Sequence, residues 1–166
     1  ETATLMQPLI DQACSLTGRS YKAGDYDDRD SFAMRVLAEH ARSAAMLVSD
    51  GVFPSNENRG YVLRRILRRA VRHAYLLGVE KPVMPSMVDA VVEVMGEAYP
   101  DLVKNHDFVR GVVAKEEESF RRTLAAGSLQ AKLSPEPLSV SVLGPDMGFD
   151  NLKLGLKAGL YSFIVC

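Results

Sequence analysis

Six arginines (Arg59, Arg64, Arg65, Arg68, Arg69 and Arg72) fall between Arg59 and His73 with no acid among them. On a helix turning 100° per residue, Arg64, Arg65, Arg68, Arg69 and Arg72 form one continuous stripe. Val62, Ile66, Ala70 and Leu77, with Leu63 and Leu67 at the borders, are left to face the protein. Like charges four residues apart repel by about 0.2–0.5 kcal/mol per pair, so a merely solvated face would mix signs. One explanation is neutralisation by acids of neighbouring helices, with Glu39, Asp50 and Glu57 as candidates. The other, which fits an acid-free segment better, is a phosphate track. The guanidinium fork matches phosphate oxygens, and each phosphate neutralised on a duplex steepens the salt dependence by about 0.9 log units.

The loop before this helix carries Asn56 and Asn58, whose amides both donate and accept. An A-form RNA helix exposes base edges in its shallow minor groove. There a G·U wobble leaves the guanine amino group unpaired, and a loop amide oxygen could accept from it. Ser55, Asn56 and Asn58 are equally ordinary turn and cap residues. Asn58 is read as the cap, while chemistry alone leaves Asn56 open between the two roles. No residue is assigned to catalysis or to a metal. His40, His73 and His106 lack a Cys or His partner at ligand spacing, and the sequence contains neither a P-loop nor a dinucleotide fingerprint.

These residues need a scaffold. With 166 residues and 47% apolar content the chain can bury a core, which excludes disorder, and two cysteines exclude a disulfide framework. No apolar run reaches the length of a membrane span, and no signal segment opens the chain. The default compartment is therefore the reducing cytosol. A net charge of −1 hides segregation, since acids gather at Asp25, Asp27, Asp28 and Asp30 and again at Glu116, Glu117 and Glu118.

Helical periodicity predicts an all-α fold of about five helices. The first runs through Leu5, Leu9, Ile10, Ala13 and Leu16 and stops at Gly18. The second runs from Phe32 to about Ser49, capped by Ser31, and turns inward Ala33, Val36, Leu37, Ala41, Ala44, Ala45 and Val48. The arginine helix spans about Arg59 to Leu77, closed by Gly78. Two more run from about Ser86 to Ala98 and from Asp101 to about Leu124. Helix, turn and arginine helix resemble a DNA-binding helix-turn-helix only superficially, because a connector of about nine residues exceeds the usual three or four.

The stretch Arg35-Val36-Leu37-Ala38-Glu39-His40-Ala41-Arg42-Ser43, followed by Asp50-Gly51-Val52-Phe53-Pro54-Ser55-Asn56-Glu57-Asn58-Arg59-Gly60 and the arginine helix to His73, closely resembles alanyl-tRNA synthetases. So do residues 94–100, Val-Met-Gly-Glu-Ala-Tyr-Pro, and residues 115–124. The resemblance covers roughly residues 1–124 and implies a piece of a longer enzyme: the helical domain that follows the class II catalytic core and grips the tRNA-Ala acceptor stem. It implies a parent that joins alanine to tRNA through an alanyl-adenylate. ATP and Mg2+ would serve the missing catalytic domain of the same polypeptide, and zinc a later editing domain, with no cofactor in this piece.

Asn56 takes the place of the family's acceptor-stem reader, with Asn58, Arg59, Arg64, Arg65, Arg68 and Arg72 as further tRNA contacts. Arg69 is the weaker candidate, turned towards the protein. The partner is RNA, not DNA or a membrane, and the compartment is the cytoplasm, or an organelle in a eukaryote. The family's second reader, an aspartate in a Tyr-Asp-Thr-Tyr-Gly-Phe-Pro-like segment, has no convincing counterpart; Asp146-Met147-Gly148-Phe149 is too weak a match. The alternative function is a helical nucleic-acid or protein-interaction module whose arginine stripe is neutralised by structural ion pairs.

Residues 125–166 read differently. They hold six charged residues against 35 in residues 1–124, which argues for a separate, irregular Gly/Ser/Pro-rich tail. A frameshift, an unspliced intron or a gene-model error would produce such a departure from the family, and so would a real isoform.

Overall fold

The computed structural model describes residues 5–133, with side chains to residue 127. The described residues are helical and contain no strand. The helices are α1 (Gln7–Thr17), α2 (Arg29–Ser49), α3 (Asn58–Leu76), α4 (Met84–Met95), α5 (Pro100–Lys104) and α6 (His106–Leu133). Prolines in the first turns of α1, α4 and α5 forfeit no hydrogen bond, because those N–H groups have no intrahelical acceptor. Gly18 closes α1 at φ 66°, where a side chain would be strained. Two compact units divide the chain after Ala126, and the candidate interface lies wholly within the first.

The elements differ from expectation at three places. Ser31 does not cap α2. Asp28 does, accepting from the Ser31 amide at 2.8 Å, so the helix begins at Arg29 and Ser31 is buried inside its first turn. The helix expected from Asp101 to Leu124 is two, broken at Asn105, whose side chain donates to Ser49 Oγ of α2 at 3.3 Å. The described residues therefore form six helices, in keeping with the all-α fold of about five. Helix α6 also continues to Leu133 and takes in residues 125–133, which composition alone assigns to the irregular tail. Gly127 alone costs such a helix only about 1 kcal/mol, and no proline occurs between residues 101 and 134. The remainder of the tail, Asp146 included, lies outside the described residues.

Helix α2 packs most extensively on α3 and then on α4 and α1. Its inward face is rich in alanine (Ala38, Ala41, Ala44, Ala45), which lets the long side chains of its partners fill the space between them. Leu37 and Met34 of α2, Leu63 and Leu67 of α3, and Met84 and Met87 of α4 are all fully buried. On α3 the buried face is Leu63, Leu67, Ala70, Val71 and Ala74. The expected face is thus rotated by about one residue. Leu63 and Leu67 lie at its centre, Ile66 is half-buried and Val62 is 55% exposed.

A polar clamp joins the second half of the bundle. The Glu117 carboxylate, 1% exposed, accepts from the amides of Val83 (2.9 and 3.1 Å) and Met84 (2.8 Å) at the start of α4. Arg121 pairs with Glu117 at 2.8 Å and donates to the carbonyls of Val79, Glu80 and Lys81. A carboxylate borrowed from α6 thereby satisfies N–H groups that α4 cannot satisfy itself.

Candidate nucleic-acid interface

The loop between α2 and α3 is held in one shape from several sides. Ser55 N donates to the Gly60 carbonyl at 3.2 Å, and Ser55 Oγ donates to the Glu57 carbonyl at 2.8 Å. Gly60 is buried so tightly that a Cβ there would overlap Ser55 Oγ and the Phe53 carbonyl. Phe53 stands edge-on to Phe108 of α6, with ring centres 5.7 Å apart. Residues 51–53 and 55–60 consequently line an open concavity of about 530 Å³.

Asn56, Asn58 and Arg59 are exposed on this concavity. Asn58 is not the expected side-chain cap. Glu57 occupies the cap position with no side-chain cap bond, and Asn58 takes φ 52° at the first turn of α3. Asparagine tolerates that left-handed backbone better than almost any residue other than glycine.

The arginines divide into two sets. Arg64 and Arg68 turn towards α6 and share Glu116, with Nε to Oε1 distances of 3.3 and 2.8 Å. Arg68 also lies over the Phe120 ring at 5.2 Å. The neutralising acid is therefore Glu116, not the expected Glu39, Asp50 or Glu57; Glu39 pairs with Arg42 at 2.9 Å. Arg59, Arg65, Arg69 and Arg72 are exposed and have no acid within ion-pair distance among the described residues. Arg69, expected to point inward, points out; with Leu63 and Leu67 central to the buried face, the half-buried arginines are Arg64 and Arg68.

Arg65, Arg68, Arg69 and Arg72 line a groove of about 470 Å³ together with Val62, Ile66, His40 of α2 and Phe120 of α6. The half-exposed apolar side chains that the rotation of α3 brings outward form its floor. His40 lines the groove, whereas His73 does not and stands edge-on to Phe32, ring centres 5.4 Å apart. Burial, and then the charge of Arg69, holds both below the ordinary imidazole range; Arg72 adds to the effect on His73. His106 is elsewhere, its Nε2 2.7 Å from Asp89 Oδ1.

Sequence reasoning did not find three of these features: the Glu116 bridge, His40 beside the arginines, and the contact of Arg64 with Asn56. The Arg64 Nη1 group donates to Asn56 Oδ1, while Nη2 lies 3.5 Å from the Pro54 carbonyl. The spacing of Asn56 and Arg64 carries no helical signal, because one of the two lies in the loop.

The sequence is similar to alanine–tRNA ligases of several bacteria. That of Frankia alni is 52% identical over 124 residues, covering 75% of this chain and 14% of the relative. The Frankia casuarinae enzyme is 45% identical over 170 aligned residues, covering 94% of this chain and 19% of the relative. The Thermotoga maritima enzyme is 49% identical over 123 residues, covering 74% and 14% respectively. The chain thus spans less than a fifth of the length of these curated relatives. Residues 2–137 match the family model of class II tRNA synthetases (A). With an arginine-lined groove on one face and relatives of this kind over most of its length, the chain belongs to the class II tRNA synthetase (A) family.

Proposed function

We propose that this chain is the tRNA-gripping segment of an alanine–tRNA ligase, a helical domain that follows the catalytic core and binds the tRNA-Ala acceptor stem. The observation that carries this reading is the set of exposed, acid-free arginines, Arg59, Arg65, Arg69 and Arg72, beside the Asn56 loop. Arginine forks on a convex helix suit a run of phosphates. The loop amide alongside suits a base edge in the shallow groove of A-form RNA, with Asn58 at its flank. Arg64 and Arg68 are the arginines most committed to the protein, and their part in binding is correspondingly smaller.

On this reading the parent enzyme joins alanine to tRNA through an alanyl-adenylate. ATP and Mg2+ belong to its catalytic domain and zinc to its editing domain, so no step of the chemistry runs through the residues described here. The alternative, an arginine face serving only the fold, applies to the Glu116 pairs and leaves four arginines unaccounted for.

Replacing Arg65, Arg69 and Arg72 by glutamine tests the proposal. Affinity for an acceptor-stem hairpin should fall and its salt dependence flatten, by analogy with about 0.9 log units per phosphate on duplex DNA. The thermal midpoint should hardly move. Unchanged affinity with a collapsed midpoint would make the arginines structural.

A further inference from the structure

Asn56 is an exposed loop amide, and an amide that reads a base must present the correct end. A flip about its terminal torsion exchanges an acceptor for two donors. The guanine amino group of a wobble pair is a donor and needs the oxygen. Arg64 offers Asn56 only donors, and its Nη1 group holds Oδ1, so the amide is fixed with one oxygen lone pair used and the other free. Beyond a long approach of its Nη2 to the Pro54 carbonyl, the counter-charge that holds Arg64 is Glu116. Its Oε1 accepts from Arg68 Nε at 2.8 Å and lies 3.3 Å from Arg64 Nε. That second approach is off-line for a hydrogen bond, so Arg64 Nε makes none and the attraction there is Coulombic. Glu116 is 8% exposed, which leaves it little screened by water. Without it, two like charges one turn apart would repel, and only Asn56 and the distant Pro54 carbonyl would hold Arg64 to the loop.

We propose that Glu116 is a positioning residue for base reading, acting through Arg64 to lock the Asn56 amide with its oxygen available as acceptor. The inference rests on the proposal that Asn56 reads the acceptor stem. It assigns the loop's selectivity to an acid far along the chain on α6, rather than to the loop alone. It also separates two effects that charge neutralisation would merge. Removing an acid from beside an RNA surface should strengthen non-specific binding, whereas releasing Asn56 should weaken selectivity.

The test compares the 166-residue chain with its Glu116→Gln variant, each titrated against two acceptor-stem hairpins that differ only in a G·U or G·C pair. The variant should bind the G·C stem more tightly than the parent chain, with a steeper salt dependence. Its preference for G·U should fall by roughly fivefold or more, the low end of a good base contact. An Arg64→Lys variant leaves the Glu116–Arg68 pair in place but cannot span Asn56 and Glu116 with one planar fork, and it should lose the preference as well. Full preference retained in either folded variant would overturn the proposal and leave Glu116 as a counter-charge. Parallel loss on both stems with a lower thermal midpoint would make it a packing residue and also overturn it. If the parent chain itself shows no preference, the failure lies in the reading of Asn56, and the proposal falls with it.

Discussion

At the residue scale, Asn56 and the histidines beside the arginines, His40 and His73, make separate claims. Replacing Asn56 by alanine removes the side-chain amide whose oxygen is held towards Arg64. The expected cost is about 1–3 kcal/mol of discrimination between G·U and G·C stems, by analogy with a base contact in DNA. Equal losses on both stems, measured by titration, would contradict it. His40 and His73 predict a pH dependence of definite sign. Burial and Arg69 hold both below their ordinary range, so the unfolded chain protonates first as pH falls. Their contribution to stability is complete above about pH 6.5, the unperturbed value, and is lost as pH drops through the folded values. Thermal unfolding between pH 7.5 and 5.5 should show a falling midpoint, flattened in a His40→Gln, His73→Gln double variant. A bound phosphate favours the protonated imidazole, so affinity for the stem should rise over the same interval. Parallel declines in affinity and midpoint would place the histidines away from the RNA.

At the scale of elements, periodicity revealed the helices and the inward face of α2, because apolar and polar residues there alternate cleanly. It misplaced the face of α3 by one residue. Val62, Leu63, Ile66 and Leu67 are adjacent aliphatic pairs, and nothing in their hydrophobicity tells which member of each pair points inward. The Asn105 break was hidden because Asp101 to Leu124 contains no glycine or proline but Gly111. The break is marked instead by a side-chain bond to Ser49, more than fifty residues earlier. The acidic run was least legible, since three consecutive glutamates do three different things. Glu116 pairs arginines of α3, Glu117 caps α4, and Glu118 is exposed, 4.0 Å from Arg122. This division predicts unequal costs. Glu117→Ala leaves Arg121 without its counter-charge and the Val83 and Met84 amides without their acceptor, and should cost about 3–5 kcal/mol. Glu118→Ala should change stability by about 0.5 kcal/mol or less. Denaturant unfolding of the two variants checks the ranking, and equal costs would contradict the clamp.

At the scale of the whole molecule, a net charge of −1 coexists with one positive face because the acids are placed where the fold needs them. Asp28 starts α2, Glu117 starts α4, and Glu116 quiets the two arginines nearest the core. What remains outward is a short track of four arginines beside a rigid loop, and together these suit an RNA stem better than either does alone. The most direct measurement is titration of the chain against a tRNA-Ala acceptor-stem hairpin at two salt concentrations, with a twin hairpin carrying G·C in place of G·U. The account predicts binding that weakens steeply with salt and favours the wobble stem. Salt-sensitive binding indifferent to the pair would contradict Asn56 as reader, and no binding by the folded chain would contradict the arginine track itself.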